Sequence, residues 1–550
     1  MKTIVLCDSS DFVSFQRFEN SILSALDFYQ FWYQVIDISY TLIDTIELED
    51  VNLLIIAQEA TAKKLGISDW KTIFKKVSSG MGLVIFDGMI PSYQETISQY
   101  TGISEFRIEK TIEILLEESW ITDLSAEKTI KTSIPVLVNT PEEISDDWHI
   151  FLKDHKHHPV GLWKNFGRGK ISIIGISQGL WHKNCLGHTN GFDGVFWRTL
   201  VFTAKKPFVF KPVPPFITCR VNDATGNYLP ENPAHSFKYV SILNQAGFTP
   251  HIGLCINKIT PDKISHIHSF YHQSKAEFSA HSFTDDLQGN DPSIYMGSDG
   301  REFSFEQLKS HFEQVDNFFE KLDIKPAKTI NAHRSQISYN AISFFKQRNQ
   351  IFSMNLLKSG KIYSDPRALL WEPKPYGIQN FSIDFLDENQ NIFNGVSHPG
   401  KITNKGADID FLENSASLSQ HLLSQRGIFQ IKRGIENLFF GCLMFHERNL
   451  AKLSMDDFEK IISFISDEIK RFPHIFRSYD FVMSYLKNRN DSKIAKMKYS
   501  NQHLFITISG KSIMPQFLFC FLEDGTKIFQ SFLEIPPFEK LLELTYKLPY

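Results

Sequence analysis

Short apolar runs at 3–7, 34–38, 52–57, 82–86, 134–139 and 170–177 alternate with stretches whose apolar residues recur at helical spacing. This βαβ rhythm predicts a doubly wound parallel sheet over the first two hundred residues. The segment Lys206-Pro-Phe-Val-Phe-Lys-Pro-Val-Pro-Pro215 follows, and four prolines in ten residues exclude a regular helix and mark a boundary. The last sixty residues change again: 504–510 alternates apolar with polar, and 517–522 and 527–532 flank an Asp-Gly turn. We therefore divide the chain into 1–207, 208–490 and 491–550, the last as a small β appendage packed on the central domain.

The central domain is organised around Phe216-Ile-Thr-Cys-Arg-Val-Asn-Asp-Ala-Thr-Gly226, a β-branched apolar run that ends in Asn222 and Asp223. Apolar runs recur at 250–255, 277–280, 329–332, 350–354 and 439–445, separated by amphipathic segments. One helix begins at Ser304, with Ser304 and Gln307 as a capping box and Phe305, Leu308, Phe312, Val315, Phe319 and Leu322 on one face. Another starts near Ser454, with Phe458, Ile461, Ile462, Ile465 and Ile469 at helical spacing. The repeat of strand, polar end and helix predicts an α/β domain of (β/α) barrel type, in which chemistry sits where strands end.

The residues at those ends carry chemistry. Asn222 and Asp223 close the first strand, and His281, Asp285 and Asp286 follow the third. Asn331, His333 and Arg334 follow the next, His398 lies in Val396-Ser-His-Pro-Gly400, and His446 and Glu447 follow the last. A single histidine after a strand is unremarkable, whereas the set reads as one site.

Composition narrows the class. Hydrophobic residues at 42% and charged residues at 22% fit a soluble globular protein, and a formal charge of −4 gives no reason to expect nucleic acid. Six scattered cysteines (Cys7, Cys185, Cys219, Cys255, Cys442, Cys520) without a Cys-x-x-Cys pair suit buried thiols in a reducing compartment. No apolar run approaches ~18 residues, so no membrane span is expected, and the N-terminal run is too short for a signal peptide. We expect a cytoplasmic protein; the sequence leaves its oligomeric state open.

In the first domain, Gly80-Met-Gly-Leu-Val-Ile-Phe-Asp-Gly88, Gly167-Arg-Gly-Lys-Ile-Ser-Ile-Ile-Gly175 and Gly194-Val-Phe-Trp-Arg-Thr-Leu-Val201 resemble successive landmarks of class I glutamine amidotransferase-like domains of the trehalose-utilisation type. The Gly-x-Cys-x-Gly elbow of true amidotransferases is missing, so the resemblance implies a non-catalytic relative. Gly175-Ile-Ser177-Gln-Gly179 matches a nucleophile elbow, but bulky Leu180-Trp181-His182 follows where small residues are needed. Ser177 is not expected to be catalytic.

The central set resembles the polysaccharide deacetylase superfamily (NodB-homology, carbohydrate esterase 4-like, within the glycoside hydrolase/deacetylase barrels). That resemblance implies a metal-dependent N-deacetylase of an amino sugar or glycan. It makes Asp223, His281 and Asp285 the ligands of a divalent metal, zinc first, with cobalt or manganese as alternatives. It makes His446, Asn222, His333 and Arg334 catalytic, and we assign Asp286, Trp371, His398 and Glu447 to substrate binding. Two departures stand out. Asn222 occupies the position of the general base, and an amide cannot take a proton, which leaves Asp286 or Glu447 as replacements. Asp285 replaces a histidine, although a carboxylate is a competent ligand. Two other functions stay open: an inactive carbohydrate-binding or scaffolding barrel, supported by Asn222, and a glycosidase using a pair such as Glu372 and Asp286.

Overall fold

The apolar runs of the first two hundred residues all become strands of one nine-stranded sheet. In chain order these are β1 (Lys2–Cys7), β2 (Tyr33–Asp37), β3 (Val51–Ile56), β4 (Gly82–Phe86), β5 (Phe106–Leu116), β6 (Thr129–Pro141), β7 (His149–Asp154), β8 (Pro159–Phe166) and β9 (Gly169–Ile174). The order is β2-β1-β3-β4-β9-β8-β7-β5-β6, parallel from β2 to β9 and antiparallel beyond. β3 and β4 are buried throughout, as continuous apolar runs in a covered parallel sheet should be. β5 instead mixes buried with exposed positions, with Phe106 and Ile114 buried and Arg107 and Lys110 exposed, which is how a half-solvated antiparallel strand reads. The parallel half follows the sequence reading. The antiparallel extension does not, and the run at 134–139 lies inside β6 at its edge.

The computed structural model describes the chain except residues 44–47, 124–127, 177–191, 286–291, 298–300, 334–336, 354–392, 395–409, 437, 526 and 550. Two compact units emerge: Met1–Pro212 together with Asp491–Tyr550, and a second within 213–490. In the first, Phe208-Val-Phe210 of the proline-rich segment forms a short strand, β10 (Phe208–Phe210).

The second unit contains β11 (Phe216–Ala224), β12 (Pro250–Cys255), β13 (Glu277–Ser282), β14 (Thr329–Ile330), β15 (Phe352–Ser353), β16 (Phe393–Asn394), β17 (Gly441–His446) and β18 (Ile475–Phe476). β13-β12-β11-β17 is parallel, with β18 beside the start of β11, and β14-β15-β16 forms a second parallel sheet. Among the described residues these sheets do not close into the expected barrel; the architecture is mixed α/β.

Alternation gives the first of these sheets two different faces. Ile217, Cys219 and Val221, Ile252 and Leu254, Phe278 and Ala280, and Leu443 and Phe445 join one apolar cluster. Helices Phe305–Lys321 and Met455–Ile469 complete it with the residues their spacing predicts, except Phe305, which is exposed in the first turn of its helix. Ser304 and Gln307 form the predicted reciprocal cap, and Ser454 Oγ accepts from Asp457 N. Gly427, on helix Gln420–Glu436, lies where a Cβ would meet the terminal methyls of Ile465 and Leu443 at under 3 Å, so a larger residue there would require those side chains to shift. The intervening positions, Thr218, Arg220, Asn222, His251, Ser279 and His281, are equally buried but polar.

The last segment folds as β19 (Ser492–Ser500), β20 (His503–Ser512), β21 (Gln516–Asp524), β22 (Lys527–Ile535) and β23 (Phe538–Lys547). β19-β20-β23 and β10-β21-β22 are antiparallel, and Gly525 takes a positive φ in the predicted turn. β20, β21 and β22 are the strands expected and β19 and β23 are additional; all group with the first unit, where Val209 joins their apolar cluster, and not with the central domain. No helix among the described residues is long and apolar enough to cross a membrane.

Candidate active site

Adjacent residues on a strand point to opposite faces, yet Asn222 and Asp223 both enter the polar network at the end of β11. The register explains this: Val221 opposes Ile252 and Ala224 opposes Leu254, so β11 spends one extra residue there, and Asp223 has φ 52°. A bulge of this kind re-aims a side chain. A second irregularity lies beside His281, where Ala280 opposes Leu254 and Ser282 opposes Cys255. The β11–β17 register then sets Asn222 opposite His446.

Asp223, His281 and His333 each offer a ligand atom, and the three atoms lie within 4.8 Å of one another. Asp223 Oδ1 is 3.1 Å from His281 Nε2, and the rings of His281 and His333 meet edge to face at 5.3 Å. His281 Nδ1 lies 2.8 Å from the carbonyl oxygen of Asn331. A carbonyl only accepts, so Nδ1 carries the proton, and in the neutral ring Nε2 turns its lone pair on Asp223. Two acceptors 3.1 Å apart require a cation between them, either a second ring proton or a metal ion. One carboxylate and two imidazoles are a donor set that suits zinc.

Burial alone would raise the Asp223 carboxyl; the hydrogen bond from His281 and the nearby His281, His446 and His333 outweigh it and hold the group well below the usual range. His446 Nε2 is 4.0 Å from Asp223 Oδ2, and Arg448 Nη1 is 3.8 Å from the same oxygen. On its other side, His446 Nδ1 donates to Asp410 Oδ2 at 3.0 Å. That oxygen also accepts from His446 N at 3.0 Å and from Asn449 Nδ2 at 2.6 Å.

Asn222 Oδ1 accepts from Arg220 Nε at 2.9 Å and from Asn331 Nδ2 at 3.0 Å. Reversing the amide would set its NH₂ against two donors, so the orientation is fixed by the network. Its acceptor is filled, and no basic atom remains at 222.

Glu447 is fully buried. Its Oε2 accepts from Thr225 N at 2.6 Å and Gly226 N at 3.0 Å, tying down the loop after β11. Burial pushes this carboxyl up to about 7 against those amides and the hydroxyls of Thr225 and Tyr239. The side chain thus ties the loop after β11 to the turn of helix that follows β17. Asp285 stands outside the cluster, whose third member is His333: its carboxylate is 43% exposed and 3.8 Å from Lys258 Nζ. Arg334, Asp286, Trp371, His398, Glu372 and Ser177 lie outside the described residues. Asp410 and Arg448 were not singled out from the sequence. Arg448 follows the named His446-Glu447 pair, but Asp410 has no comparable strand-end signal.

No protein-family model matches this chain, and no curated protein matches it. Likeness to solved structures spans about a third of it. A cytoplasmic protein from Salmonella typhimurium is 14% identical over 34% of this chain and 88% of that one, with a TM-score of 0.25. A ThuA-like protein from Bacteroides uniformis is 9% identical over 32% and 83%, with a TM-score of 0.26. A beta-galactosidase from Bacillus circulans is 13% identical over 32% of this chain and 28% of its own, with a TM-score of 0.23. At these scores the likenesses assign neither fold nor function to this chain.

Proposed function

We propose that the second unit is a metal-dependent hydrolase that removes N-acetyl groups from an amino sugar or glycan, on a deacetylase-type (β/α) barrel. The observation that carries this reading is the convergence of Asp223, His281 and His333 beside an Asp410-oriented His446 at the C-terminal end of one parallel sheet. The buried polar face of that sheet leads to the cluster at its C-terminal end, where chemistry sits in folds of this class. Asp223, His281 and His333 would hold a divalent cation, which in such hydrolases polarises the acyl oxygen and activates water.

Asp410 fixes the His446 proton on Nδ1 and leaves Nε2 facing the site. His446 can therefore take a proton at Nε2 and deliver it to the departing amine nitrogen. With Asn222 unable to act as base, the same imidazole serves both proton transfers. Arg448, 3.8 Å from Asp223 Oδ2, adds a positive charge to the site that would favour negative charge developing on an acyl oxygen bound there.

The parallel half of the nine-stranded sheet supports the first unit as a non-catalytic amidotransferase-like domain. Free, buried Cys7, Cys219, Cys255, Cys442 and Cys520 support a reducing, cytoplasmic setting.

The test is acetate release from N-acetylated oligosaccharides by protein reloaded with zinc, cobalt or manganese, wild type against His446→Ala. A second reading has its own observation: with Asn222 locked between Arg220 and Asn331, the unit could bind glycan without turnover. Glycan binding with no acetate release under any of the three metals would favour it.

A further inference from the structure

The same sheet carries a second cluster at its opposite, N-terminal end. His251 is the second residue of β12, Glu277 the first of β13, and Asp480 lies in the first turn of helix Tyr479–Asn490. One ligand atom from each lies within 4.8 Å of the others. His251 has no exposed surface, and its Nε2 meets Ser279 Oγ at 2.8 Å. Its Nδ1 has no hydrogen-bond partner and is aimed at the carboxylates, 3.6 Å from Glu277 Oε2.

Both carboxylates are held in place by backbone amides. Asp480 Oδ1 accepts from Thr329 N at 2.9 Å and Thr329 Oγ1 at 2.6 Å, and its Oδ2 accepts from Lys328 N at 2.8 Å. Glu277 Oε2 accepts from Asp480 N at 3.2 Å. A carboxylate has about four lone-pair sites, so these bonds leave capacity for a further ligand while fixing its direction, as outer-shell partners of metal ligands do. The imidazole sits at the back and the partly exposed Glu277 and Asp480 at the rim, which gives an ion a way in.

We infer that His251, Glu277 and Asp480 form a second divalent-cation site, of the kind that takes Zn²⁺ or Mn²⁺, which ties β12 and β13 to helix Tyr479–Asn490. One nitrogen and two carboxylates suit either ion, and the N-terminal end of such a sheet is where stabilising features belong. The site is independent of the Asp223 cluster and of the activity proposed for it.

The test is metal content of the full chain, stripped with chelator, reloaded with Zn²⁺ or Mn²⁺ and desalted. Wild type should hold about two equivalents and Asp223→Asn/His281→Gln about one, which adding His251→Gln should remove. The Asp223→Asn/His281→Gln protein should also melt at a higher temperature with Zn²⁺ or Mn²⁺ than without, a gain lost with His251→Gln. If His251→Gln does not fold, Glu277→Gln replaces it in both measurements. Retention of no metal by Asp223→Asn/His281→Gln, or retention that neither His251→Gln nor Glu277→Gln reduces, overturns the inference. Failure of the upper site appears differently, as equal metal in wild type and Asp223→Asn/His281→Gln.

Discussion

His446 Nδ1 and Asp410 Oδ2 are joined by a 3.0 Å hydrogen bond across 36 residues of sequence, and the same carboxylate oxygen accepts the backbone amide of His446. The ring is thereby held in one tautomer and one orientation. His446→Ala should lower kcat for acetate release by about 10²–10⁴-fold, the usual contribution of a general acid or base. Asp410→Asn should lower kcat while leaving metal content at the wild-type level. A His446→Ala enzyme within about threefold of wild type would remove His446 from the mechanism.

Metal should be required. Dialysis against a strong chelator should abolish acetate release, and added Zn²⁺, Co²⁺ or Mn²⁺ should restore it. Asp223→Asn should not be restored, because it loses the one carboxylate of the cluster. Unchanged acetate release after chelation would overturn the metal requirement, and cleavage of aryl glycosides without any acetate release would favour the glycosidase alternative.

Asn222→Asp should introduce the missing base. The new carboxylate would sit between Arg220 and Asn331, both already donating to that position. Acetate release should rise by about tenfold or more, and the pH–rate profile should gain an acidic limb. A fall in rate with retained metal would show that the amide itself is used.

Gly253 faces the floor of the cluster. A Cβ there would meet Asn331 Nδ2 at 2.6 Å and His281 Cβ at 3.0 Å. Gly253→Ala should cost about 1–3 kcal/mol in stability, as overpacking does, and should weaken metal retention by moving His281. Calorimetry together with metal analysis checks both effects.

Glu447 should make stability depend on pH. Burial raises its folded pKa to about 7, above the ordinary carboxyl value of 4.5. Between these values the folded state keeps a proton the unfolded state has lost, so stability falls as pH rises through the window. The full effect is on the order of 3 kcal/mol. Melting temperature should drop from pH 5 to pH 8 more steeply in wild type than in Glu447→Gln. Parallel curves would show that Glu447 does not titrate there.

Much of the architecture could be read from periodicity, because buried parallel strands and amphipathic helices have strong local signatures. β1, β3, β4, β11, β12, β13 and β17 all coincide with apolar runs. β5, β7 and β8 were missed, since alternating polar residues in half-solvated strands resemble helix surface or loop. At the site, Asp223, His281 and His446 were legible as polar residues following apolar runs. What sequence could not show was the bulge that turns Asp223 toward His281, the choice of His333 over Asp285, or the partnership with Asp410. Each depends on register or on contacts between distant segments, and neither leaves a local trace.

The pairing of β10 with β21 joins residues separated by about three hundred positions. During synthesis, residues 213–490 have all been made before β21 exists, so the second unit can acquire its site while the first still lacks partners for Phe208–Phe210. A ribosome stalled once residue 490 has left its exit tunnel, with the later strands still enclosed, would present a complete second unit attached to an unfinished first one, and chaperone binding at that stage should map to the earlier half of the chain.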